Sequence, residues 1–406
     1  HFRERIMNLV KYAGISLIAL SASMGHAGGW EASTIDTSLM YSEGSAANVS
    51  TASLSPSHVA STYLKLDSTN GTNRSVLKKE TRTSIVGKFD IGSFAVGINQ
   101  FKSGSIQLGG GAKTAVGWIP DANATLTSTS VLTKYRISGP YDLLAGLTMN
   151  SLGATEVSTV LGTYNVDAKT STGYLIGGAY SAPAIALRVE VLYQPKSKIS
   201  TNTSFTETAV PTGNVGAPTY ADAVAFSALG AATYAALGNV NAVQNEASFT
   251  STLSRPETLT LNFQSGVAED TLVFGSVHQA KWSKSQIYVD AVSPVTEITT
   301  AFTDTTAYTI GVGRKINDSF SVSASFKSEG GSGATGTSLF TVSNGSQGVS
   351  LGGSYNMDNI EIRAGYNYTK LGGVTISTLA GGLGTVQAVY PSNSISAVGA
   401  SVTYKF

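Results

Sequence analysis

The sequence predicts an all-β membrane fold, a 14-stranded antiparallel transmembrane β-barrel with an amino-terminal plug in its lumen. Three observations carry that expectation. Only 13% of the 406 residues are charged, while 42% are hydrophobic and 44 are Gly; an ordinary soluble domain is roughly a quarter charged. From residue 57 onward the apolar residues recur with a period of two, which marks strands with one apolar and one polar face. The chain closes on SISAVGASVTYKF, in which Val398, Ala400, Val402, Tyr404 and Phe406 alternate with Gly399, Ser401, Thr403 and Lys405.

The same composition excludes other classes. With 26 Lys+Arg against 25 Asp+Glu the net charge is +1, so there is no basic field for a phosphate backbone and no nucleic-acid partner is expected. The absence of Cys excludes disulfides, thiol catalysis and Cys-ligated metals. Only His58 and His278 lie beyond the leader, neither with a recognisable Ser and acid partner, and no metal-ligand spacing exists. The chain is therefore not read as an enzyme, and no catalytic residue, metal or cofactor is expected. No long apolar run follows the leader, which disfavours a helical bundle.

The elements follow in order. HFRERI before Met7 reads as upstream sequence with no role in the fold. Lys11, an apolar stretch from Tyr12 to Met24 and Gly25-His26-Ala27 form a signal peptide, cleaved after Ala27. Residues 1–27 take with them Arg3, Arg5, Lys11 and Glu4, which leaves 23 positive and 24 negative groups, a net of −1. Residues 28–56 are too many for a lead-in and too weakly patterned for a spanning strand. They hold Trp30, Ile35, Leu39, Met40 and Tyr41, which are costly to leave in water. A lumen of this width must be open or filled, so the segment reads as a plug carried by Trp30, Leu39, Met40 and Tyr41.

Residues 57–406 read as the barrel. The first strand is placed around His58 to Leu66 and the last at 394–406. Between them six tight turns, near Asp90-Ile91-Gly92, Gly139-Pro140-Tyr141, Ser181-Ala182-Pro183-Ala184, Ala268-Glu269-Asp270, Asn317-Asp318 and Met357-Asp358-Asn359, each join strands of about ten residues, long enough to cross a bilayer when tilted. Long intervals alternate with them, the longest at 197–256. Short turns on one side and long loops on the other are the asymmetry of an outer-membrane barrel, and an even strand number closes without an edge. Arg314 falls on the apolar phase three residues from a turn, from where it can snorkel to headgroups.

Taking the apolar face as outward, Arg82, Lys88, Lys134, Arg136, Arg188, Glu190, Lys315, Glu361, Arg363 and Lys405 point inward. Eight of these ten are basic, so a carboxylate headgroup would be steered to them, with Lys134, Arg136, Arg188 and Arg363 as candidate ligands. The other reading is an internal network in which Arg188 with Glu190 and Arg363 with Glu361 hold plug or wall groups. In the longest loop Tyr220, Val224, Phe226, Leu229, Tyr234 and Leu237 recur at near-helical spacing, which makes Phe226 and Tyr234 candidates for a hydrophobic landing groove. Trp118-Ile119-Pro120 supplies its other wall.

The order of leader, Gly28-Gly29 with a short hatch, fourteen strands and the stretch RPETLTLNFQSGVAEDTLVFGSVHQAKWSKSQI at 255–287 resembles the FadL/TodX family of outer-membrane transporters for long-chain fatty acids and other hydrophobic compounds. The likeness is concentrated in Arg255-Pro256-Glu257, in Trp282-Ser283 and at the carboxyl terminus. The family's hatch motif Asn-Pro-Ala is absent, and Tyr41-Ser42-Glu43-Gly44 stands in its place. The resemblance implies passive uptake: a hydrophobic molecule lands among the outer loops, binds above the hatch and leaves through a gap in the wall near the third strand. Ser93 to Phe101 is that strand here, and Gly97 at its middle is the candidate lateral gate. The implied partners are fatty-acid-like small molecules, outer-membrane lipid, and the barrel assembly machinery through Tyr404 and Phe406, for a monomer in the bacterial outer membrane. A porin for small polar or anionic solutes is the alternative.

Overall fold

The computed structural model describes residues 29–57, 59–64, 74–109, 121–158, 162–207, 246–290, 297–300, 302–331, 335–336, 340–379 and 385–406. Its wall is a closed antiparallel barrel of 14 strands, numbered β1 to β14 here: Ala46–Ser57, Glu80–Ile91, Phe94–Gly109, Asp121–Ser138, Tyr141–Leu152, Lys169–Ala182, Leu187–Gln194, Thr258–Ala268, Thr271–Ala280, Thr305–Lys315, Phe320–Glu329, Ser346–Met357, Ile360–Leu371 and Asn393–Lys405. Each pairs with its neighbours in sequence, and β1 closes the ring against β14 from Ala46↔Lys405 to Ser57↔Ser394. Closure leaves no terminal strand without a neighbour, as hydrocarbon requires. Among the described residues no helix is long and apolar enough to cross a membrane.

The outward phase is apolar and exposed: Leu147 is 73% accessible, Leu351 61% and Ile310 57%, with Ile85, Phe89 and Val402 on the same face of their strands. A continuous belt of this kind is stable against lipid and not against water. Arg314 lies on this face, as expected, and donates to the Thr271 hydroxyl at 2.9 Å. The inward phase is small or polar, for example Ser321, Ser323 and Ser325 on β11 opposite Ser354, Gly352 and Ser350 on β12.

All six short turns are where the sequence places them, and they share one end of the barrel with Ala46 and Lys405. Left-handed residues tighten five of them: Ala186, Asp270 and Asp358 have φ of 52°, 56° and 51°, and Gly92 and Gly139 have 61° and 55°. At the opposite end, here the loop end, the interval 197–256 is partly regular. Ser197–Glu207 and Glu246–Arg255 pair with each other, and the former also pairs with Gly162–Val166, extending the sheet beyond the wall.

One boundary differs from the expectation. The first spanning strand is Ala46–Ser57, so residues 46–56 belong to the wall and not to the plug; Val59–Leu64 pairs with Thr385–Tyr390 in a separate loop-end sheet. The physical reason is that the outward residues of β1 are Val49, Thr51, Ser53 and Ser55, too polar beyond Val49 to display a period of two. The leader, residues 1–27, lies outside the described residues.

Candidate functional site

Three features make up the lumen: an apolar mouth, a plug, and a cavity beside the plug. The mouth is at the loop end, where Trp30, Leu54, Leu77, Leu126, Trp282 and Tyr390 belong to one buried apolar cluster that joins wall, plug and loop residues. The plug, residues 29–45, crosses the lumen beneath it. Leu39 and Met40 are buried in a 3-10 turn, Ser38–Tyr41, and Met40 packs among Ala95, Leu132, Leu144, Leu175 and Leu192 of five wall strands. Trp30 is 1% exposed.

Polar contacts fix the plug to β2, β3, β4, β7 and β9, on one side of the wall. Glu190 on β7 is the hub: its carboxylate accepts from the Thr37 hydroxyl at 2.7 Å, the Tyr41 phenol at 2.6 Å and the Asn262 amide at 2.7 Å. Burial, together with the facing Glu190, pushes the Tyr41 phenol far above its ordinary value, so Tyr41 remains the donor. Its ring carries Arg188 at 4.3 Å and Lys134 at 5.0 Å, cation–π contacts worth about 0.5–2 kcal/mol each. Lys88 donates to the carbonyls of Ser42 and Gly44 at 2.6 and 2.9 Å while paired with Asp90 at 2.8 Å. Asn99 donates to the Asp36 carbonyl at 3.0 Å.

His278 on β9 meets Glu31 at 2.8 Å. Burial works to raise the Glu31 carboxyl, but His278, by charge and hydrogen bond, and Arg255 bring it below its ordinary value. A carboxyl lowered in the docked plug stabilises docking at pH above the usual carboxylate range, and that contribution is lost as pH falls through and below it. The protection factors of residues 29–45, corrected for the intrinsic exchange rate at each pH, should fall on acidification below about pH 4.5, and Glu31→Gln should flatten that dependence. An unchanged acid profile in Glu31→Gln would count against the assignment.

The wall is interrupted beside the plug. The β2–β3 ladder runs from Ile91↔Phe94 to Ser84↔Phe101 and ends there, although β2 continues to Glu80 and β3 to Gly109. Past this point β3 has a register break between Lys102 and Gly104 and keeps its partner β4. Its other edge is taken by the plug, with Ala32 N donating to Ser103 O and Ser105 N to Trp30 O, both at 2.9 Å. Nearer the loops, Lys78 N donates to Gln107 O and Gly109 N to Val76 O. A buried cluster fills the divergence. Glu80 accepts from Arg82 at 2.9 Å, Lys102 at 2.8 Å and Ser105 at 2.8 Å, and Arg82 donates to the plug carbonyl of Ala32 at 2.5 Å.

Gly97 is not where the wall departs from regularity. Its ladder is intact on both sides, to Lys88 and to Leu132, and its missing side chain makes room for Met40, whose sulfur would lie 2.4 Å from an added Cβ. The divergence is set by the Ser103 bulge, a feature no residue type announces.

The cavity, about 260 Å³, lies between plug residues 31–38 and the wall from β7 to β14, and extends from Trp282 and Thr305 down to Lys315 and Ser321 near the turn end. Arg188 and Arg363 border it. Arg363 is held by Glu361 at 2.6 Å, and Arg136, at the turn end, pairs with Asp142 at 2.5 Å. The basic excess counted from the sequence is reduced, though not abolished, by inward acids that the count omitted, Glu80, Asp142 and Glu329 with Glu31 and Asp36 from the plug, since inward Lys102 and Lys327 were omitted as well. Trp118, Phe226 and Tyr234 lie outside the described residues.

Residues at the quoted stretch have structural partners here. Arg255 is buried and donates to Asn150 at 3.0 Å and Gln194 at 3.2 Å. Trp282 packs edge-on against Phe302 at 5.6 Å and lies directly against Gly29, where an added Cβ would overlap its ring.

No protein-family model and no curated protein sequence matches the chain. Solved structures do. A FadL homologue from Pseudomonas aeruginosa superposes with a TM-score of 0.70 at 12% identity, covering 97% of this chain and 98% of that one. The fold is that of the FadL-type channels. The toluene transporter TodX of Pseudomonas putida matches at a TM-score of 0.58 and 10% identity over 96% and 98% of the two chains, and the monoaromatic hydrocarbon channel CymD at 0.54 and 12% over 90% and 89%. At such identities the FadL-type likeness concerns the backbone fold alone.

Proposed function

We propose that the chain is a bacterial outer-membrane channel for passive, diffusion-driven uptake of hydrophobic compounds, with lateral exit through the wall where β2 and β3 part. One observation carries the reading: the ladder ends at Ser84↔Phe101 at the place where the plug replaces the wall strand. A hydrophobic solute that leaves sideways into lipid once the Glu80, Arg82 and Lys102 cluster in the divergence parts avoids the aqueous column of an axial pore. Crossing an aqueous pore would cost it about 0.8 kcal/mol per exposed methylene. Toluene and monoaromatic hydrocarbons, the cargoes of TodX and CymD, belong to the same broad class. In this reading the channel is a monomer, and the exposed Tyr404 and Phe406 present the strand end to the assembly machinery.

The serine-lined cavity favours a second reading, a porin for small polar or anionic solutes. A paired experiment separates them. Expression of the chain should raise the rate at which cells take up a hydrophobic probe such as dodecan-1-ol severalfold, while the purified protein in a planar bilayer should carry no steady ion current. A steady current without faster uptake would support the porin and contradict the proposal.

A further inference from the structure

We infer that the cargo accommodated in the cavity is an uncharged amphiphile bearing hydroxyl or carbonyl groups, not a carboxylate; this rests on the channel reading above. Four carboxylates border the cavity, Glu31, Asp36, Glu190 and Glu329, and four cations on the inward phase face them, Arg188, Lys315, Lys327 and Arg363. The cations are engaged. Lys315 holds Asp318 at 2.6 Å, Arg363 holds Glu361 at 2.6 Å, and Arg188 lies over the Tyr41 ring. Lys327 lies two residues from Glu329 on the same face of β11 and lines the cavity with it. An arriving carboxylate therefore meets no net positive field and gives up its hydration without gaining a new partner.

A bare hydrocarbon is disfavoured for the opposite reason. Ser321, Ser323, Ser325, Ser350 and Ser354 line one wall of the cavity. Ser350 already accepts from the Asn367 amide at 2.9 Å; a ligand that drives water from the other four hydroxyls and offers no hydrogen bond leaves them unsatisfied, which is unfavourable at each one. Across the cavity, plug residue Ser38 is 5% exposed, lines the same space, and has a buried hydroxyl with no hydrogen-bond partner. A neutral hydroxyl or carbonyl satisfies Ser38 and the serine wall together while its chain remains towards Leu272 and Phe274.

The test is competition for the purified full chain by three twelve-carbon probes, dodecan-1-ol, dodecanoate and dodecane, against labelled dodecan-1-ol at a pH where the acid is ionised. The alcohol should bind at least about tenfold more tightly than either of the others. Ser38→Ala should weaken the alcohol severalfold and leave dodecane unchanged. Dodecanoate or dodecane equal to or better than the alcohol overturns the inference, as does an alcohol affinity indifferent to Ser38→Ala in a variant whose barrel remains folded by its heat-resistant electrophoretic mobility. Failure of all three probes to bind contradicts the channel reading itself, a distinguishable result.

Discussion

Trp30→Ala should release the plug. Trp30 is the largest fully buried side chain of the protein's described residues, and it is held on several sides. Its indole donates to the Ser254 carbonyl at 3.4 Å, its own carbonyl accepts from Ser105, and its ring rests on Gly104, where an added Cβ would lie 2.9 Å away. Truncating a buried Trp to Ala costs about 3–5 kcal/mol. The barrel ladders do not depend on this residue, so the loss should fall on docking of residues 29–45. Their amide exchange should rise by on the order of 100-fold or more, and the bilayer-reconstituted variant should conduct ions where the parent does not. Trp30→Phe, which keeps most of the volume, should recover much of the protection. Exchange unchanged in Trp30→Ala would mean that the plug is held by its polar contacts alone.

Legibility in the sequence followed the size of the outward residues. Between β10 and β14 the lipid face is built of Tyr, Ile, Val, Leu and Phe against Ser and Gly, so phase, turns and strand count were readable one residue at a time. β1 was not, because its outward face turns to Thr51, Ser53 and Ser55. The plug residues Trp30, Leu39, Met40 and Tyr41 were identifiable since large apolar groups in an unpatterned segment need burial, and all are buried or nearly so. The inward phase of Lys134, Arg188 and Arg363 was also correct.

The electrostatic meaning of those residues was not legible, because it depends on partners distant along the chain. Glu80 with Lys102, and Glu190 with Thr37, Tyr41 and Asn262, are brought together by closure of the barrel and by insertion of the plug. No spacing rule links them. The same is true of the wall opening. Gly97 attracts attention as a glycine within a strand, yet it serves close approach of Met40, whereas the departure of β3 comes from Ser103, which has no register partner on β4, and from plug backbone competing for the strand edge.

The central claim, lateral exit between β2 and β3, is open to a direct test because the chain has no native Cys. Thr81 and Lys102 lie on opposite sides of the divergence, and the Lys102 amine reaches the Thr81 carbonyl at 3.5 Å. The Glu80 carboxylate between Arg82, Lys102 and Ser105 closes this gap with ion pairs and hydrogen bonds. Such pairs hold position yet can part without disturbing the flanking ladders, since β2 remains bonded to β1 and β3 to β4. A covalent bridge cannot part. The measurement is the uptake rate of a hydrophobic probe by cells carrying Thr81→Cys with Lys102→Cys, before and after treatment with a short, reducible bis-thiol cross-linker, with each single variant as a control. Lateral exit predicts that cross-linking lowers uptake at least about tenfold and that reduction restores it. Uptake unaffected by a bridge shown to have formed would contradict the account and place the route along the barrel axis.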